Sequence, residues 1–281
     1  MSTCFLDFFR GLTRKVGIPL CSLAFLILFY SPAFAGVAVL TELTHEYTVQ
    51  PGDQNSRVIV LHNKDQEPAM VKLLIRDYLF NSEGKTYYLQ PGSVQRSNSS
   101  WITLEKNRVE IQPGETVTIN YKLETPNDPS LLGTYWSIIL VEPFVKEVEF
   151  SKQDKNINVS IQETVRFGIQ IVTSIGNTGE KDIRFGATAL KHNDENALVL
   201  NVDLENQGER WLRPNVWVNI YKEDGSAVGR FLGLKMRIFP GTSIRQEMNI
   251  GRLKAGKYMA LVVADGGDEF IVGAEYTLNI E

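Results

Sequence analysis

Three histidines, two cysteines and a few acid-rich turns are the groups from which any chemistry in this 281-residue chain would have to be built. His45, His62 and His192 stand far apart, and none belongs to the HxxxH or HxH spacing that grips a metal. The run Asp265, Gly266, Gly267, Asp268, Glu269 offers the hard oxygens that calcium takes. It separates two strand-like runs, however, and reads as a solvated hairpin turn. The acidic stretches at residues 193–196 and 222–225 read the same way. Nucleophile elbows, phosphate loops and paired-cysteine motifs do not occur. The expectation is a non-enzymatic protein with no metal, no cofactor and no small-molecule substrate.

Charge excludes another class. Lys and Arg number 29 against 33 Asp and Glu, a net charge of −4. The first 35 residues hold Arg10, Arg14 and Lys15 against Asp7, so the remainder carries 26 against 32, or −6. Phosphate backbones are bound by clustered cations, and a mildly acidic body does not supply them. Nucleic acid is not an expected partner.

Those first residues read as a targeting segment. A basic stretch is followed by an apolar run at residues 18–30, then by Ser31, Pro32, Ala33, Phe34 and Ala35. Ala33 and Ala35 are the small pair of an A-x-A cleavage site. The run is short of the roughly 20 residues a membrane span needs. We expect a signal peptide at 1–35, cleavage after Ala35, and contact with the membrane only through secretion. Both cysteines, Cys4 and Cys21, lie inside that segment, so the mature chain would rely on core burial rather than disulfides.

The elements that follow are strand-like. Residues 57–61, 70–75, 117–121 and 136–141 are short β-branched or aromatic runs, punctuated by Pro51-Gly52, Pro91-Gly92 and Pro113-Gly114. Residues 198–204, 216–221, 244–250, 258–264 and 274–280 repeat the style around Asp224-Gly225, Pro240-Gly241 and Gly266-Gly267. Helical periodicity is not sustained anywhere over a dozen positions. The fold class is all-β: two tandem immunoglobulin-like antiparallel sandwiches, 36–176 and 177–281.

One stretch stands out. Across residues 156–175 the odd positions read Ile157, Val159, Ile161, Glu163, Val165, Phe167, Ile169, Ile171, Thr173 and Ile175. Alternation breaks at Glu163, weakens at Thr173 and meets an apolar intruder at Val172. Strands usually run about 5–6 residues, so this length admits two readings: two strands with an unmarked bend, or one long strand. In the second, Ile157, Val159 and Ile161 project as exposed apolar knobs. Such an edge is an aggregation hazard unless a partner strand covers it, as in β-strand addition.

Here a resemblance becomes specific. Residues 58–65, with Pro68 and Val71, are similar to the second strand and Asn-rich turn of the periplasmic pilus-assembly chaperones (PapD-like). Residues 101–119 resemble that family's middle strands, and residues 133–143 resemble the strand before its subunit-binding loop. The resemblance implies a periplasmic protein that lends a β-strand to a partner subunit. It implies Ile157, Val159 and Ile161 as the donated side chains and Arg166 as an anchor for the subunit's terminal carboxylate. His45 falls near the position of the second anchoring cation. The second half looks as much like a generic adhesion sandwich, and the two-sandwich layout is similar to that of Gram-positive surface proteins that interact with WxL cell-wall proteins. An envelope component holding other surface proteins is therefore the alternative expectation.

Overall fold

A computed structural model describes residues 36–144 and 165–281. The first group of strands is β1 (Val37–Val39), β2 (Thr44–Val49), β3 (Gln54–Asn63), β4 (Ala69–Phe80), β5 (Thr86–Leu89), β6 (Ile102–Leu104), β7 (Arg108–Ile111), β8 (Thr116–Glu124), β9 (Gly133–Phe144) and β10 (Phe167–Ile175). The second is β11 (Ile183–His192), β12 (Leu198–Asn206), β13 (Asn215–Lys222), β14 (Ala227–Leu232), β15 (Ser243–Gly251), β16 (Gly256–Asp265) and β17 (Ile271–Ile280). A single turn of 3₁₀ helix precedes β6, and no α-helix occurs among the described residues.

Alternation builds the two cores. In β8, Ile119, Tyr121 and Leu123 point inward while their neighbours face water. In β15, Ile244, Met248 and Ile250 do the same. The sheet β1-β3-β8-β6 covers the sheet β2-β10-β9-β4-β5, to which β7 adds through β4. Behind them the sheet β11-β12-β15 covers β14-β13-β16-β17. Each pair of sheets encloses its own apolar cluster. The expected pair of sandwiches is present.

One pairing differs from the antiparallel expectation: β2 runs parallel to β10, Thr44 opposite Gln170 through Val49 opposite Ile175. The cause is the chain's crossing between sheets. β1 pairs with β3 in one sheet, and after residues 40–43 the chain continues in the other sheet, where it meets the last strand running its own way.

Both sandwiches carry the same asparagine corner. Asn63 Nδ2 donates to the Glu67 and Ile111 carbonyls at 2.8 and 2.9 Å, and its Oδ1 accepts from Asp65 N at 3.0 Å. Asn206 Nδ2 donates to the Arg210 and Ile238 carbonyls at 2.7 and 3.0 Å, and its Oδ1 accepts from Gly208 N at 3.0 Å. Each backbone also closes the next Pro-Gly turn, Gly114 N donating to Asn63 O and Gly241 N to Asn206 O. Both asparagines are fully buried, where an unbonded amide would be costly.

A third apolar cluster joins the sandwiches. Tyr78, Trp136, Ile138, Leu140 and Val172, on the outer face of the six-stranded sheet, pack with Phe239 and Trp211 of the second sandwich. Phe239 stacks on Trp136 at 4.9 Å between ring centres and meets Tyr78 edge-on at 6.0 Å. Polar links surround it: Arg96 pairs with Glu209 at 3.0 Å, and Ser82 donates to Asp203, which Arg245 also holds. Gly133, at φ +70°, sits where a side chain would overlap the Glu209 carbonyl. That close approach fixes the junction.

Candidate functional site

The two sides of β10 are unequal. β9 pairs with it along its whole length, from Phe167 opposite Val141 to Ile175 opposite Gly133. β2 covers only Gln170 to Ile175, and the last bond on that side is Gln170 N donating to the Leu43 carbonyl at 2.9 Å. Since bonding groups alternate sides along a strand, Gly168 is the next residue upstream whose N–H and C=O face this side. Among the described residues no strand meets it there. Gly168 has no room for a side chain, because a Cβ would lie 2.6 Å from Ile138 Cδ1. Exposed apolar residues stand at both ends of that stretch: Val165 just before β10, and Leu43, whose carbonyl holds Gln170 N.

Arg166 stands at the upstream end of this stretch. Its Nε lies 2.9 Å from Glu142 Oε1 on β9, and its side chain is 56% exposed. A pair so open to solvent contributes about 0–1 kcal/mol. Ile157, Val159 and Ile161 lie outside the described residues.

His45 occupies a different setting from the one its sequence position suggested. Its residue is 2% exposed, with Nδ1 2.5 Å from the Tyr121 hydroxyl, which is itself 2.6 Å from the Tyr47 hydroxyl. Burial lowers its pKa, and the Arg57 guanidinium lowers it further. The ring is therefore neutral at pH 7 and bonded inside the core. Nor does the fold bring it to Arg166. His45 pairs with Ile171, five residues along β10 from Arg166, roughly 16 Å at about 3.3 Å per residue.

The cation at the downstream end of the open stretch is one that sequence reasoning missed. Arg237, just before the second Pro-Gly turn, reaches across to the first sandwich. It forms an ion pair with Glu46 of β2 and lies 3.5 Å from Gln170 Oε1 of β10. Trp211 lies under its guanidinium at 4.4 Å and Phe239 at 5.8 Å, both within cation–π range. Its neighbours Met236 and Ile238 face the second core while Arg237 and Phe239 face the first sandwich. That alternation was the one available signal.

No family model and no curated protein matches the chain. Among similar solved structures is a chaperone–tip adhesin complex of CFA/I fimbriae biogenesis, with a TM-score of 0.45 and 13% identity over 86% of this chain and 98% of that one. Another is the class 5 fimbriae chaperone CfaA, TM-score 0.44 and 11% identity, covering 86% and 98%. A PapD-like domain of human CEP192 gives a TM-score of 0.33 and 12% identity, covering 60% and 96%. PapD-like fimbrial chaperones are thus among the structures to which this chain is similar.

Proposed function

We propose that this chain is an exported, chaperone-like binding protein that pairs by β-strand addition with a protein subunit during pilus or envelope assembly. The observation that carries the reading is that, among the described residues, no strand pairs with the β2 side of β10 at Gly168, with exposed Val165 before it and exposed Leu43 at the start of the covered part. A strand laid there continues the line of β2 and satisfies main-chain groups left open by the sheet. Ile157, Val159 and Ile161 are the donated side chains in this reading, and Arg166 anchors the subunit's terminal carboxylate. His45 serves only to seat β2. Residues 1–35 are the signal peptide, 36–176 the binding sandwich and 177–281 its brace, with the periplasm as the site of action.

The test replaces Ile157, Val159 and Ile161 together by Ser. Each apolar side chain contributes up to ~1.5–3 kcal/mol when a partner buries it. The mutant should lose the subunit that co-purifies with wild type from the exported fraction while melting at nearly the same temperature. Hydrogen exchange at the Gly168 amide should slow on subunit binding. If the triple mutant alone loses several kcal/mol of stability, the three residues are core and the strand-donating role is wrong. Stable association of wild type with the envelope, without any subunit bound at Gly168, would favour a structural module instead.

A further inference from the structure

Three of the four sheets have outer faces that suit their surroundings. The outer face of β8 presents Thr118, Asn120 and Lys122 to water, and that of β15 presents Arg245 and Glu247. The six-stranded sheet has an apolar outer face, and the second sandwich covers it. The fourth outer face, on β14-β13-β16-β17, is apolar too, yet its side chains are partly or largely exposed. Trp217 and Tyr221 of β13, Met259, Leu261 and Val263 of β16, and Leu232 of β14 alternate with the residues that face the second core, and so share this face. Leu232 is 74% exposed. Contiguous apolar patches of a few hundred Å² on a soluble protein mark places where another surface docks.

Pairing across the sheet sets these side chains in rows. One row runs Leu232, Trp217, Val263, Gly273, and the next runs Arg230, Asn219, Leu261, Glu275. Arg230 lies over the Trp217 ring at 5.0 Å, and its Nε donates to Asn219 Oδ1 at 2.9 Å, so the guanidinium rests on the face. Arg230 and Glu275 stand on the two edge strands of one row, three strand spacings or about 14 Å apart, too far to pair within one molecule. A two-fold axis running along the strands, between β13 and β16, brings them together between molecules. It lays each edge strand of one copy on the opposite edge strand of the other, so that Arg230 meets Glu275 twice. The same operation sets Leu232 over Gly273, where no side chain obstructs it, Trp217 over Val263 and Tyr221 over Met259. An axis across the strands would lay β14 on β14 and β17 on β17, and so oppose like charges.

From this we infer that the outer face of the second sandwich is a docking surface for a second copy of this chain, packed face to face about a two-fold axis along the strands. Sheets packed in this way lie about 10 Å apart with their strands within about 30° of each other. Four strands paired over about 26 Å cover roughly 500 Å² per copy, so the two faces together reach the roughly 1,000 Å² at which a specific interface begins. The dimer is therefore weak and depends on concentration. Its surface shares no residue with the Gly168 edge and stands independently of the strand-addition reading.

The test is sedimentation velocity of the exported protein from micromolar to millimolar concentration. Wild type should pass from monomer to dimer as concentration rises. Arg230→Glu and Glu275→Arg each oppose like charges at both contacts, and each should weaken the dimer by roughly tenfold or more. Mixing the two variants in equal amounts should restore it to near wild-type strength, because every contact between unlike chains is again a pair of opposite charges. Misfolding cannot produce that recovery. Leu232→Asp should remove the dimer while leaving the melting temperature nearly unchanged. Wild type that stays monomeric throughout overturns the inference, as does a dimer that neither charge reversal weakens or that mixing fails to restore. If wild type stays monomeric and Trp217 emission shifts only when a co-purifying protein binds, the face belongs to that protein and the second-copy assignment falls.

Discussion

Removing the Phe239 ring tests whether the third cluster holds the two sandwiches together. The ring is fully buried, stacked on Trp136 and edge-on to Tyr78 and Phe80. Its backbone is anchored separately: Phe239 N donates to Thr242 Oγ1 at 2.9 Å, and its carbonyl accepts from the same hydroxyl at 2.8 Å. Phe239→Ala therefore removes side-chain packing while leaving the turn closed. A buried Phe→Ala change costs about 3–5 kcal/mol, and aromatic neighbours add about 0.5–1.5 kcal/mol per pair beyond area. With three aromatic partners the upper half of that range, about 4–5 kcal/mol, is expected. For a chain of this size each kcal/mol moves the midpoint by about 2–4 °C, so Tm should fall by roughly 8–20 °C.

Calorimetry should also show the unfolding transition broaden or divide, because the lost contacts are those that bridge the sandwiches. Emission from Trp136, now 1% exposed, should shift red before global unfolding. A drop of less than about 2 °C with unchanged emission would refute the reasoning. The junction would then be held by its polar links and by the close approach at Gly133.

Three further outcomes follow from individual side chains. Asn63→Ala and Asn206→Ala each strip two carbonyls and one N–H of their partner, so chemical denaturation should show losses of about 2–4 kcal/mol at both corners alike. His45, whose pKa is lowered in the fold, binds a proton more readily when unfolded. Its contribution is thus present above about pH 6.5 and lost as pH falls toward the folded value, with a slope of up to about 1.4 kcal/mol per unit. Equilibrium unfolding between pH 7 and 5 should show that slope in wild type and a flatter one in His45→Phe. Mass spectrometry of the exported protein should find Gly36 at its N-terminus, and a species retaining Met1 would overturn the export reading.

Much of the fold was legible because its signal is local. Apolar alternation located the strands, and Pro-Gly pairs located the turns before β8 and β15. Even the irregularities of β10 have causes that the sequence marked without explaining. Val172 is apolar on the outer side because it faces the cluster with Phe239, and Thr173 is polar on the core side because its Oγ1 accepts from Asn98 Nδ2 at 2.8 Å. The site was less legible because its partners are distant. His45 alternates with Tyr47 and Val49 on one face of β2, but its burial depends on Tyr121, far along the chain. Arg237 draws Glu46, Gln170 and Trp211 from separate elements, and no spacing in the sequence links them.

The repeated asparagine corner frames why the two sandwiches would play different parts. Asn63 and Asn206 sit at the ends of β3 and β12, and each ties down the turn leading to β8 or β15, so the halves share one construction. They diverge in what surrounds that turn. In the first half, Ile111 leads into it from β7, which pairs with β4 of its own sandwich. In the second half, the residues before the turn form no comparable strand: Ile238 bridges only to Leu212, and Arg237 and Phe239 turn outward to the first sandwich. A segment freed from pairing at home supplies both the ring that fixes the junction and the guanidinium beside Gln170 of β10. The edge belongs to one sandwich and the cation to the other. Rigid contact between them is therefore a condition for presenting the two together, and Phe239→Ala should loosen the hold of Arg237 on Glu46 even at temperatures where both sandwiches remain folded.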